Sequence, residues 1–335
     1  MTFVVFGVPH DPHICRVGAA LRKKGVDVRV LPSIPPAGAA ELSWVVSGAG
    51  SSSSPTLGLA RASGNEDSPV DGLRTLVWMR NKAQIDYVHT QADQATVLCI
   101  KERSAWMKGW IRTTGARWIN PLTQALEAEV KLTQLHLATS LGMPIPRTII
   151  SNCRNDVRSF VSEGGDFVIK ALATAVVPSH NPDLSNFFVY TSDLTSEDVE
   201  DSCDEEWALA PVIVQEKIEK SYELRVIQIG DHALAVRIDP EEAGQTDYRK
   251  TSPANTHAFC RAPTQLVEFG AKYLNALGLD MGVFDYAVTV EGKYVFFECN
   301  PSGQWAWMEG VEDDDDHEIS KFVADQFHKL YLSLV

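Results

Sequence analysis

The chain has 335 residues, 44% hydrophobic and 22% charged, an ordinary globular composition whose length suggests two or three domains. No stretch approaches the roughly 20 apolar residues that span a bilayer. A net charge of −14 argues against a non-specific nucleic-acid binder, which would present a basic face, but salt screens that field within about 8–10 Å, so a few local cations can still hold an anion.

The start, MTFVVFGVPHDPHICRVG, has no basic leader before its apolar run and predicts a first strand rather than a signal peptide. Six cysteines, at 15, 99, 153, 203, 260 and 299, show no CxxC or Cys/His ligand spacing. They read as the reduced thiols of a cytoplasmic protein.

FVVFGV predicts a strand, CRVGAALRKKG a helix ending at Gly25, and VDVRVL a second strand. SGAGSSSSP and ASGNEDSP read as Gly/Ser-rich loops. These place residues 1–118 in a small α/β domain. A second segment, 119–210, opens with WINPLTQALEAEVKLTQLHLATSLGMPIP. There Asn120 suits an N-cap, Pro121 the first helical position, and one helix should run to about Gly142. FVIKAL is a short strand carrying Lys170, and 171–210 reads as irregular and acidic. A third segment, 211–335, carries the strand PVIVQEKI and a hairpin, ELRVIQIGDHALAVRID, turning at Gly230-Asp231. An amphipathic helix follows, with Leu266, Gly270, Leu274 and Leu277 on one stripe. A second hairpin, VFDYAVTVEGKYVFFECN, precedes a last helix whose acidic start, Asp313 to Asp316, suits a helix N-terminus.

The second hairpin ends on polar residues where its apolar run stops. A two-residue turn at Glu291-Gly292 would place Thr289 opposite Tyr294, Val288 opposite Val295, Ala287 opposite Phe296 and Tyr286 opposite Phe297. The same register sets Asp285 opposite Glu298, with Asn300 two residues on and on the same face. Directly opposed carboxylates lie about 4.5–5.5 Å apart at Cβ and repel. Three readings of this set are open: a hard-cation site suited to Mg²⁺, a solvent-facing rim, or a proton-sharing pair.

Mg²⁺ held by few protein ligands suits a polyphosphate, and a polyphosphate needs cations. Lys170 finishes an apolar strand, while Lys131 reads either as a phosphate ligand or as a solvated helix lysine. Glu223, Arg225 and Arg237 lie on the first hairpin, where a strict two-residue turn puts the two arginines on opposite faces and a bulge would change that. There is no GxxxxGK[ST] and no GxGxxG, so neither a P-loop nor a Rossmann fingerprint is present.

The order AEVKL, FVIK, VIVQEKIEKSYELRV, ALAVRID, VFDYAV, FFECNPSGQW resembles ATP-grasp ligases, and more narrowly the graspetide (microviridin-type) ribosomal peptide maturases, over roughly Val77 to Trp307. The resemblance implies an α/β (α+β) ATP-grasp fold with an N-terminal pre-ATP-grasp domain. It implies ATP and Mg²⁺ as cofactors, with Lys131 and Lys170 on the phosphates and Gln215, Glu216, Lys217 and Ile218 along the adenine. Glu223 would take the ribose, Arg225 and Arg237 the phosphates or an acyl phosphate, and Asp285, Glu298 and Asn300 the metal. DYRK resembles the family's D-x-R motif and makes Asp247 and Arg249 acceptor-site candidates.

The implied partner is a ribosomal precursor peptide with a leader and an acidic core, bound by a homodimer, with no nucleic acid and no membrane. The implied reaction activates Asp/Glu side chains as acyl phosphates and closes ester or amide rings. The chain departs from the family pattern at Asn81, at Tyr248, and in the few glycines after Lys170. Two other readings stay open: a ligase of the same fold acting on an amino acid or protein tail, and a binding module without turnover.

Overall fold

In the computed structural model the described residues are 2–32, 41–43, 56–58, 75–81, 93–173, 176–177, 187–240, 256–309 and 317–334. The strands, in chain order, are β1 (Thr2–Phe6), β2 (Val28–Leu31), β3 (Glu41–Ser43), β4 (Thr56–Gly58), β5 (Thr75–Met79), β6 (Arg117–Ile119), β7 (Thr148–Ser151), β8 (Phe167–Lys170) and β9 (Val176–Val177). They continue as β10 (Phe187–Phe188), β11 (Ser192–Leu194), β12 (Val212–Glu216), β13 (Lys220–Ile229), β14 (His232–Asp239), β15 (Thr256–Cys260), β16 (Met281–Thr289) and β17 (Tyr294–Asn300). The helices are α1 (Pro12–Lys23), α2 (Gln94–Thr113), α3 (Leu122–Glu127), α4 (Lys131–Ser140), α5 (Arg154–Ser162), α6 (Ser196–Asp201), α7 (Asp204–Ala208), α8 (Thr264–Leu277) and α9 (Glu318–Leu332). No described helix is long and apolar enough to cross a membrane.

The chain forms two compact units, one of 1–126, 274–282 and 301–335, the other of 127–273 and 283–300. In the first, β2-β1-β5-β6 make a parallel sheet. Both faces are apolar, as a sheet covered on both sides requires. Val4, Phe6, Val77 and Met79 pack with Met107 and Trp110 of α2, while Phe3 and Trp78 meet Phe327 of α9. α1 starts three residues before the expected Cys15, because Asp11 accepts the His13 N–H as N-cap and Pro12 fills the first turn.

In the second unit the sheet β11-β8-β12-β7 is antiparallel throughout, and β15-β14-β13-β16-β17 form a second sheet. The single helix expected over 120–142 is two, α3 and α4, and Asn120 caps neither by its side chain. It is buried, with Nδ2 donating to the carbonyls of Met281 and Pro301 and Oδ1 accepting from the amides of Asp280 and Met281. An amide that can satisfy four backbone groups at once in the interior is worth more there than at a solvated cap.

The acidic stretch after 190 is also more ordered than expected. α6 and α7 start on capping boxes, Thr195 with Asp198 and Cys203 with Glu206, and dock Val199 and Trp207 beside Val157 and Val161 of α5. Carboxylates that read as irregular in sequence are here helix N-termini. The first hairpin keeps the expected register, with Ile229 opposite His232 across Gly230-Asp231. α8 packs on one face of its sheet, so close that a Cβ on Gly270 would stand 2.0 Å from Gln228 Oε1, the reason a glycine interrupts its apolar stripe. The segments 47–55 and 62–69, expected as loops, and the acidic run Asp313 to Asp316 lie outside the described residues.

Candidate active site

The second hairpin is built differently from the sequence expectation, and the difference makes the site. Its turn has three residues: the Thr289 N–H reaches the Lys293 carbonyl at 3.0 Å, and Gly292 takes φ 77°, a left-handed conformation that glycine adopts without strain. Val288 therefore pairs with Tyr294, Ala287 with Val295 and Tyr286 with Phe296, each one residue away from the two-residue-turn register. A bulge between Asp285 and Tyr286 in the ladder leaves Phe297 as the extra residue and cancels that slip, so Asp285 does face Glu298.

The bulge resolves a conflict of side-chain direction. In a regular strand Phe296 and Glu298 would share a face. Here Phe296 joins Phe269 and Tyr273 of α8 with Phe284 and Tyr286 in one aromatic cluster. Glu298 turns instead to the opposite face, beside Asp285.

Cations converge on that face. β13 lies next to β16, and Arg225 Nη1 reaches both Asp285 oxygens at 2.9 Å. Lys131, in the first turn of α4, pairs with Glu298. The charge of Lys170, at the end of β8, also acts on Glu298, and that of Glu223 acts on Asp285. Glu223 is buried and is held by Lys220, a residue sequence reasoning did not single out.

The two facing carboxyls are driven apart in affinity for protons. Burial raises Asp285 above the ordinary carboxylate range; Arg225 opposes this, and the charges of Glu298 and Glu223 reinforce it. Burial would also raise Glu298, but the Lys131 ammonium outweighs it and, with Lys170 and Arg225, holds that carboxyl low.

Of the sequence-derived candidates the fold thus gathers Lys131, Lys170, Glu223, Arg225, Asp285 and Glu298, with Asn300 two residues beyond Glu298 on β17. Gln215, Glu216, Lys217 and Ile218 lie along and just past β12, whose Ile213 pairs with Lys170. Gln215 is buried with Nε2 donating to Thr148 Oγ1 at 2.8 Å. The amides of Glu216 and Lys217 donate to the carbonyls of Arg147 and Asp166, and Lys217 Nζ sits 2.8 Å from Asp193. Arg237 is not brought in: it pairs with Leu224, on the face opposite Arg225, and is held by Asp239 with its guanidinium 3.9 Å over the Tyr222 ring. Asp247 and Arg249 lie outside the described residues.

The fold has counterparts among solved structures. A RiPP-associated ATP-grasp ligase of Chryseobacterium gregarium, in complex with ADP and a leader and core peptide, superposes with a TM-score of 0.82 at 22% identity, covering 98% of this chain and 97% of that one. The ATP-grasp fold is that of this chain. Two macrocyclases of Microcystis aeruginosa are similar over comparable spans. MdnB has a TM-score of 0.71 and 27% identity, covering 97% of each chain. MdnC, bound with precursor peptide MdnA, has 0.76 and 22%, covering 98% of this chain and all of its own. Neither a protein-family model nor a curated protein sequence matches.

Within this ATP-grasp fold the donor set suits Mg²⁺. Two carboxylates and an amide oxygen are hard ligands too few to fill six positions, and the remainder fall to water and phosphate. No described group of three or more His, Cys, Asp or Glu side chains competes as a metal cage. Two like charges set face to face in a half-buried hairpin, each neutralised by its own cation, form an arrangement that a divalent ion can take over.

Proposed function

We propose that this chain is an ATP-dependent peptide ligase that cross-links Asp or Glu side chains of a ribosomal precursor peptide with hydroxyls or amines of the same peptide. The opposed Asp285 and Glu298, backed by Arg225, Lys131 and Lys170, are the observation that carries this reading. The peptide substrate is inferred from the ATP-grasp counterparts solved with leader, core or precursor peptides.

Bound at Asp285, Glu298 and Asn300, Mg²⁺ would supply charge neutralisation for the triphosphate. The cations now paired with the carboxylates would then turn to phosphate oxygens. Lys131, Lys170 and Arg225 have that role, Glu223 the ribose, and Gln215 to Ile218 the adenine. A peptide carboxylate oxygen attacks the γ-phosphorus, the β–γ bridging bond breaks, and ADP leaves. A hydroxyl or amine of the peptide then attacks the carbonyl carbon of the acyl phosphate. Phosphate departs, the nucleophile's proton passes to solvent or a base, and an ester or amide ring closes. No protein nucleophile is required. Arg225 and the lysines stabilise charge that grows during transfer, the kind of stabilisation worth most where water is excluded. Asp247 and Arg249 are proposed at the acceptor peptide, in a cytoplasmic homodimer.

The test is incubation with a precursor peptide bearing Ser/Thr and Asp/Glu, ATP and Mg²⁺. Loss of one water per ring, dependent on ATP, is the expected result. Phosphate release with small carboxylic acids and no peptide would assign the fold to a small-molecule ligase instead.

A further inference from the structure

Among the described residues β17 is an edge strand, and no described strand lies beside it on the side away from β16. Cys299 turns both its N–H and its C=O away from β16, as the alternation of an antiparallel ladder requires of the residue between two hydrogen-bonded positions. An unpaired amide and carbonyl there would be free to shift, and Glu298 and Asn300 flank them. Gln134, 2% exposed, fills the gap. Its Oε1 accepts the Cys299 N–H at 3.1 Å, and its Nε2 donates to the Cys299 carbonyl at 2.8 Å and to the Ala128 carbonyl at 2.7 Å. A primary amide is the one side-chain type that can match both backbone groups of a residue as a neighbouring strand would. Farther along the same edge the Phe296 N–H is met by the Pro144 carbonyl at 2.8 Å.

Gln134 also lies one turn beyond Lys131 on α4, so the helix that holds the Glu298 carboxylate by charge holds the next peptide by hydrogen bonds. The third bond, to Ala128, ties this amide to the break between α3 and α4. We infer that Gln134 is a positioning residue for the metal site: it fixes the spacing and direction of Glu298 and Asn300 by acting as a one-residue surrogate strand on β17. This rests on the ligase reading above. The nearest physical precedent is the outer-shell group that orients a metal ligand, whose loss costs about 10–100-fold in metal affinity.

The experiment uses the full chain, with Mn²⁺ as probe in the presence of ADP and free Mn²⁺ read by electron paramagnetic resonance. Gln134→Met keeps the volume and removes all three hydrogen bonds. Its Mn²⁺ affinity should fall by about 10–100-fold, while ADP uptake in EDTA, by calorimetry, stays at the wild-type value. Val157→Ala, in the core beside the other sheet, serves as a variant that lowers melting temperature and should leave Mn²⁺ affinity unchanged. Equal Mn²⁺ affinity in wild type and Gln134→Met overturns the inference, and so does an equal loss in Val157→Ala. If Gln134→Met does not fold, Gln134→Glu carries the test, since it keeps the acceptor for Cys299 N–H and loses both donations. Failure of both to fold overturns the positioning role in favour of a folding one. A wild-type chain that takes up no Mn²⁺ with ADP removes the ligase reading itself, an outcome separate from the variant comparison.

Discussion

Each unit of this protein buries a cluster of acids and cations, and the two clusters are wired differently. In the first unit Asp11, His13 and Arg80 surround the segment 302–306. His13 Nε2 accepts the backbone N–H of Trp305 at 2.9 Å and of Ala306 at 3.1 Å, so the ring proton sits on Nδ1, which donates to Asp11 Oδ1 at 2.7 Å. Arg80 pairs with Asp11 at 3.2 Å and donates to the Ser302 carbonyl at 3.3 Å. One acid pairs with one cation across a neutral imidazole, and the polar groups are spent on fixing a loop. In the second unit two carboxylates face each other, and each has been given a cation that a stronger ligand could replace. Like charges set opposite inside a fold cost stability unless something else is to be bound. Buried charge alone does not mark a site; the sign pattern does.

That comparison breaks most readily at Glu298. Glu298→Gln should retain the fold and lower ATP-dependent ring closure by about 10²–10³-fold, read as dehydrated product by mass spectrometry. Unchanged product yield would remove Glu298 from the metal.

Arg80→Met should act on stability instead. It removes the cation beside the largely buried Asp11 and the guanidinium donor to the Ser302 carbonyl, and should lower the unfolding free energy by about 3–5 kcal/mol in urea titrations. Mn²⁺ affinity of the folded fraction should not move. A variant that kept its stability and lost metal binding would make the two clusters one system.

The pH dependence sharpens the contrast. Burial lowers the His13 pKa, with the Asp11 hydrogen bond opposing, so the folded state holds a neutral ring. The unfolded chain then binds the extra proton first as pH falls below about 6.5. The stability associated with His13 is complete above that value and is lost as pH drops through the folded-state pKa. His13→Gln should flatten the melting-temperature slope between pH 7 and 5.

Arg237→Ala is expected to do least. Its partner Asp239 and its stacking on Tyr222 are exposed features, together worth about 1 kcal/mol or less, and ring closure should be near wild type. A large kinetic loss would bring this residue to the phosphates after all and undo the separation of the two sheet faces.

Much of this was legible from residue order. The alternation of both hairpins, the Gly230-Asp231 turn of the first, the strand ending in Lys170, and the facing of Asp285 and Glu298 follow from period-two patterning, which short-range sterics dictate. The two-residue-turn register is nonetheless one residue off near the turn, and Asp285 faces Glu298 only because the bulge cancels the slip. The compensating bulge at Phe297 has no local signature, because it is forced by where Phe296 must go to meet Phe269 and Tyr273. The interior role of Asn120 was likewise out of reach, because it answers to carbonyls more than 150 residues away in sequence, and the break between α3 and α4 is marked by the Gln134 bond to the Ala128 carbonyl. Gln134 had only a faint mark, its position three residues after Lys131.

Sequence by itself determined the opening strand and helix, the strand carrying Lys170 and both hairpins, that no P-loop or Rossmann fingerprint was present, and that carboxyl and amide oxygens would end the second hairpin. Those are consequences of periodicity and residue chemistry over a few neighbours. Tertiary structure decided which cation neutralises which carboxylate, that Arg225 and not Arg237 shares their face, and that an amide from α4 stands in for the strand β17 lacks. These depend on which distant groups must find partners once water is excluded, and that is settled only when the whole chain has packed.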